Sequence, residues 1–138
     1  MRYWLFKSEP SDWSWDDQLA KGHDGEDWTG VRNYQARNKM REMEVGDRGF
    51  FYHSQTERAC VGIVEIVTAA HPDPTDDSGK WDCVTVRAVT SLPAPVTLEA
   101  VKAEPALADM ALVTNPRLSV QPVTEFEFKT IIRMAERR

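Results

Sequence analysis

Short apolar runs set between polar turns, some with strand alternation and some with helical spacing, divide the chain into interspersed strands and helices. Tyr3 to Lys7 reads as an aromatic-rich strand closed by Ser8-Glu9-Pro10. Ser14 with Asp17 has the spacing of a capping box; Trp15 and Leu19 would share a face of the helix it starts, and Gly22 would end it. Residues 22–30 read as loop. Tyr34 to Met43 is helical, with Ala36, Met40 and Met43 on one side and Arg37 and Arg41 together on a more exposed one.

Gly46-Asp47 leads into a β region. Gly49 to His53 and Ala59 to Thr68 flank a hairpin loop at residues 54–58, with Phe51 and His53 on one face of the first strand and Phe50 and Tyr52 on the other. Residues 71–79 are polar and Pro-containing, a mobile surface connection, before Trp81 to Val89 resumes strand alternation. Past Pro93 and Pro95, Thr97 to Met110 reads as short helical turns interrupted by Pro105. Leu118-Ser119-Val120 can form a last strand. Thr124 and Glu127 cap a closing helix whose inner stripe is Phe128, Ile131, Ile132 and Ala135, with Arg133, Arg137 and Arg138 at its cation-favouring end. Without regular β-α alternation, the class is α+β: a small curved, barrel-like sheet flanked by short helices in one domain, residues 1–138.

Length and charge narrow the possibilities. A chain of 138 residues can bury a real core. No apolar run reaches membrane-spanning length, and the apolar start is too short for an export signal, so a cytosolic (cytoplasmic) protein is expected, with Cys60 and Cys83 as buried thiols. The net charge of −5 lacks the broad basic footprint of proteins that track long nucleic acids. Acids crowd residues 9–27, where Lys21 is the one cation, whereas Arg32, Arg37, Lys39 and Arg41 stand unopposed over residues 31–41. A nucleic-acid partner would therefore meet a compact pocket for one or a few nucleotides.

Candidate chemistry concentrates in Trp28 to Asn38, which joins an indole, a phenol, guanidiniums and carboxamides without an acid. Trp28, Arg32, Asn33, Tyr34, Arg37 and Asn38 suit a nucleobase, a flat π-surface with donors and acceptors on its rim. The same residues also suit a core Trp and Tyr with surface arginines. Three further clusters stand at strand edges: Lys7-Ser8, His53-Ser54 and Asn115-Pro116-Arg117-Leu118-Ser119. His53 could line a pocket or be a buried structural histidine, and the other two could be plain turns. Adjacency in a strand argues against a His53-Ser54 nucleophile. No Gly-rich phosphate loop or zinc spacing is present among the histidines, so no catalytic residue, metal or cofactor is expected.

Taken together, Tyr3 to Pro10, Trp28 to Asn38, Gly46-Asp47 with Phe51 to Ser54, Val61 to Val64 and Asn115 to Val120 resemble the EVE domain family of the PUA-like superfamily, in that family's order and over essentially the whole chain. A more distant likeness, in Lys7-Ser8, Trp28 and Gly79-Lys80-Trp81-Asp82, is to the YTH domain, which reads N6-methyladenine in RNA. The resemblance implies a PUA-like fold and a module that binds a modified base, a 5-substituted cytosine in DNA. Trp28 would stack on the base. Ser8, Asn33, His53 and Ser54 would meet its edge, and Lys7, Arg32, Arg37 and Arg117, with Leu118 beside it, would hold phosphate or the rim. Tyr34, Trp4 and Trp15 are the rings considered for a second aromatic wall, Trp4 and Trp15 being better suited to the core. The alternatives are a PUA-like RNA-binding module and an enzyme acting on a nucleotide or modified nucleic acid through His53. An effector partner is not legible.

Overall fold

The structure, a computed structural model, describes residues 1–137; the expectation for Arg138 lies outside them. Six strands, β1 (Tyr3–Ser8), β2 (Glu26–Asp27), β3 (Arg48–His53), β4 (Ala59–Pro72), β5 (Asp82–Thr97) and β6 (Val120–Val123), form one mixed sheet in the order β2-β5-β4-β3-β1-β6. Among the described residues five α-helices flank it: α1 (Trp15–Ala20), α2 (Tyr34–Arg41), α3 (Leu98–Ala103), α4 (Ala111–Thr114) and α5 (Glu125–Arg137). The class is α+β. The sheet is not closed into a barrel, because β2 and β6 remain its edges.

Strand alternation sorts the apolar residues into two cores. Trp4, Phe6, Phe51, Val64, Ile66, Val84, Val86 and Val120 cluster with Trp15, Trp28, Ala36, Met40 and Met43 from the α1–α2 part of the chain. Leu5, Phe50, Tyr52, Cys60, Ile63, Leu92, Val96 and Val123 cluster instead with Val101, Leu107, Met110, Leu112, Phe128, Ile131 and Ala135. Both capping boxes form as their spacing predicts. Asp17 N–H donates to Ser14 Oγ and Ser14 N–H to Asp17, and Thr124 and Glu127 exchange the same pair of bonds.

Several sequence expectations are corrected. On α1 the buried positions are Trp15 and Gln18, not Leu19, because Gln18 finds two partners inside: its Nε2 donates to Val86 O and its Oε1 accepts from Trp13 Nε1, each at 3.0 Å. The loop read at residues 22–30 contains β2, too short to show alternation, which pairs Glu26 and Asp27 with Val86 and Thr85. β5 does not stop at Val89; it runs through Pro93 and Pro95 to Thr97, its register against β4 jumping from Gly62 opposite Ser91 to Cys60 opposite Val96. That irregularity leaves the prolines outside the paired ladder. β6 starts later than expected, at Val120, and includes Pro122, whose missing N–H is tolerated on an edge strand. Gly62 is required where α1 crosses the sheet, since a Cβ there would lie 2.2 Å from the Trp15 ring.

The polar segment at 71–79 is not merely a surface connection. Its first two residues end β4, and Asp73 is buried as the hub of a local network. No helix among the described residues is long and apolar enough to cross a membrane.

Candidate nucleic-acid interface

β1 and β3 run parallel in register, Lys7 beside Tyr52 and Ser8 beside His53, so both strands end at the same side of the sheet. β6 is antiparallel to β1, which brings the segment before it to that same side. The three strand-edge clusters of the sequence therefore converge. Ser54 N–H donates to Ser8 O and Lys7 N–H to Ser119 O, both at 2.9 Å, and Lys7 Nζ reaches Pro116 O. Lys7 also lies 5.9 Å from the centre of the Tyr52 ring, and its burial lowers its pKa from the ordinary lysine value.

Beside these strand ends opens a cleft of about 350 Å³ lined by Lys7, Ser8, Glu9, Asp12, Trp13, Glu26, Asp27, Trp28 and Thr29. Its volume is near the lower end of the range for small-molecule sites, roughly 300–1,000 Å³. Trp28 is 8% exposed. Its ring meets Phe6 and Phe51 in edge geometries at 5.1 and 5.5 Å, so one residue serves both the core and the cleft wall. Trp4 and Trp15 are buried in the same core, as expected. The second indole on the cleft is Trp13, which sequence reasoning did not single out. Ser8 Oγ donates to Trp13 O, and the Trp13 Nε1–H bond to Gln18 fixes its ring.

Of the residues expected to bind ligand, Lys7, Ser8 and Trp28 line this cleft, and His53 and Ser54 brace it from behind. His53 Nε2 accepts the main-chain N–H of Trp15 at 3.0 Å, and Nδ1 meets Glu57 Oε1 at 2.6 Å. Leu118 is buried in the core below, while Arg117 is exposed and in no ion pair among the described residues. The four carboxylates of the cleft were also missed. Their signal was the acidic run at 9–27, read only as a contrast to the unopposed cations at 31–41. Glu9 accepts from Gln55, Glu26 pairs with Lys21, and Asp27 accepts from Thr85; Asp12 has no side-chain partner among the described residues.

Arg32, Tyr34, Arg37 and Asn38 gather in a second patch with Trp81. Tyr34 and Trp81 stack at 4.7 Å, with the Arg37 guanidinium 4.7 Å from the first ring and 5.7 Å from the second. Arg37 also donates to Lys80 O and to Asn38 Oδ1. Arg32 pairs with Asp73 at 3.0 Å and donates to Thr75. Asn33 caps α2, its Oδ1 accepting from Ala36 N–H. Asp73 in addition accepts from Gly30 N–H, which ties this patch to the chain leaving Trp28. Burial alone would raise the Asp73 pKa; the bonds from Thr75, Gly30 and Arg32 outweigh it and hold the carboxyl at about 2.

A sequence model of the EVE domain matches residues 2–134. The chain belongs to the EVE domain family. Among solved structures, protein Atu2648 from Agrobacterium tumefaciens is 59% identical to this EVE domain, covering 98% of this chain and 93% of its own, with a TM-score of 0.96. The human THYN1 protein, solved in complex with 5-methylcytosine-containing DNA, is 32% identical, covers 100% and 99%, and superposes with a TM-score of 0.92. The YTH domain of the Zygosaccharomyces rouxii MRB1 protein is 18% identical with a TM-score of 0.60 over 97% of this chain, a likeness of fold. The PUA-like α+β architecture implied by the sequence resemblance is thus the one observed.

Proposed function

We propose that this EVE domain is a non-enzymatic module that takes one modified base, a 5-substituted cytosine in DNA, into the cleft flanked by Trp13 and Trp28. The observation that carries the reading is this cleft: two indoles beside it, a bounded volume, and hydrogen-bonding groups at the end of β1 and on Asp12, Glu26 and Asp27. Support comes from the human THYN1 protein, which shares the fold at 32% identity and is complexed with 5-methylcytosine DNA. Aromatic faces favour a stacked base. A carboxylate such as that of Asp12 can accept from the exocyclic amine of cytosine. Four carboxylates also disfavour phosphate inside the cleft, so the base enters while the backbone stays at the rim, where Arg117 and the arginine patch beside Trp81 supply positive charge.

Tryptophan fluorescence tests this. The protein is titrated with short single- and double-stranded DNA carrying cytosine, 5-methylcytosine or 5-hydroxymethylcytosine, and with matched N6-methyladenine RNA. Saturable binding with preference for one modified cytosine, weakened about fivefold or more in Trp13→Ala, is the expected result. A preference for the RNA would transfer the reading to the RNA-binding alternative, and indifference among all ligands would overturn it.

A further inference from the structure

Sequence spacing offered no zinc pattern, yet the fold assembles a mixed ligand set from three strands. Asp27 ends β2, His71 lies near the end of β4 and Cys83 near the start of β5; their ligand atoms all lie within 4.8 Å of one another. His71 Nε2 stands 3.3 Å from Asp27 Oδ1 and 3.4 Å from Cys83 Sγ. A tetrahedral zinc ion with ordinary bond lengths separates N from O by about 3.3–3.5 Å and N from S by about 3.5–3.6 Å. The N–O separation is therefore already that of a shared metal, and the N–S separation of 3.4 Å is just short of it.

The surrounding bonds orient these groups as ligands. His71 Nδ1 lies 2.8 Å from Ala69 O, a carbonyl that can only accept, so Nδ1 carries a proton, and a metal that displaces the proton of Nε2 finds that nitrogen aimed at the carboxylate and the sulfur. Metal-bound histidines are held in this way by their second nitrogen. Thr85 Oγ donates to Asp27 Oδ1 at 2.7 Å, fixing the carboxylate as outer-shell partners do. The Asp27, Asp73 and Asp82 carboxylates surround Cys83 with negative charge, which attracts a divalent cation. The Cys83 side is buried, while the Asp27 and His71 side chains are 39% and 30% exposed, leaving an approach for the ion and for a fourth, water ligand.

We propose that Asp27, His71 and Cys83 bind one divalent transition-metal ion of the zinc class, with solvent at the fourth position. The ion clasps β2 to the ends of β4 and β5. Because Asp27 also lines the base cleft and adjoins Trp28, the ion fixes one cleft wall and offsets part of the cleft's negative charge.

Cobalt(II) titration of the metal-stripped full chain tests the site without any nucleic acid, so its outcome is separate from that of the base-binding experiment. The expected result is one equivalent bound, with tetrahedral visible bands and a thiolate-to-cobalt charge-transfer band, all displaced by zinc. The charge-transfer band should vanish in Cys83→Ser, persist in Cys60→Ala, and require at least tenfold more cobalt in His71→Gln. Zinc should raise the Tm of the wild-type chain and leave that of His71→Gln unmoved. Absence of a charge-transfer band at excess cobalt, or wild-type cobalt affinity in His71→Gln, would overturn the proposal.

Discussion

His53 Nε2 accepts the main-chain N–H of Trp15 across 3.0 Å, joining the end of β3 to the first turn of α1. With Nε2 accepting, Nδ1 carries the proton that meets Glu57. Both ring nitrogens are thus engaged, and the imidazole is a bracket behind the cleft. His53→Ala leaves the Trp15 N–H without its acceptor and should cost about 1–3 kcal/mol, measured by denaturant unfolding. Unchanged stability would show that water replaces the bond at no cost.

The two indoles of the cleft should separate under mutation. Trp28 is packed against Phe6 and Phe51, and Trp28→Ala should destabilise the fold by about 3–5 kcal/mol. Trp13 is only partly buried, so Trp13→Ala should weaken base binding by about 1–3 kcal/mol in a chain that stays folded. Urea melts and fluorescence titrations of both variants check this; comparable stability losses would remove the distinction.

Asp73 makes stability depend on acid. Its carboxyl is held at about 2, below the ordinary aspartate value of 3.8, so it binds its proton less readily folded than unfolded. The contribution is present above the unfolded value and is lost as pH falls from about 4 towards about 2. Asp73→Asn should lower stability near neutral pH by about 1.5–3 kcal/mol and flatten this acid limb of a Tm-against-pH curve. A wild-type limb in the variant would assign the acid sensitivity to other carboxylates.

Arg117 is exposed and unpaired among the described residues, next to the Pro116 carbonyl that receives Lys7. Arg117→Ala should weaken all oligonucleotides alike and reduce the slope of log K against log salt by about 1, as expected for a single phosphate contact. A loss confined to the modified base would instead make Arg117 a base-reading residue.

The local signals in the sequence were reliable where a few neighbouring residues decide the outcome. Ser14-Asp17 and Thr124-Glu127 form the capping bonds their spacing implies, and Ala36, Met40 and Met43 are all buried. The three strand-edge clusters could be named but not brought together, because their meeting depends on the parallel pairing of β1 with β3. The misses share that long-range origin. Gln18 displaces Leu19 from the interior through a carbonyl on β5, and the Pro93–Pro95 stretch stays within a strand because β4 supplies pairing on both sides of it. Trp81 joins Tyr34 and Arg37 only because residues far apart in sequence are folded against each other.

The β1–β6 pairing also sets the order in which the molecule can be made. Tyr3 to Phe6 pair with residues 120–123, and Lys7 reaches across 109 positions to Pro116. Contacts this distant contribute nothing until the intervening chain exists, so their loop-closure cost falls late in folding. During synthesis, β1 emerges first and must wait for nearly the whole chain before its edge partner appears. The β6 side of β1, where Lys7 is held, is consequently among the last features to be completed, and a nascent chain halted before residue 116 lacks the carbonyl that positions Lys7.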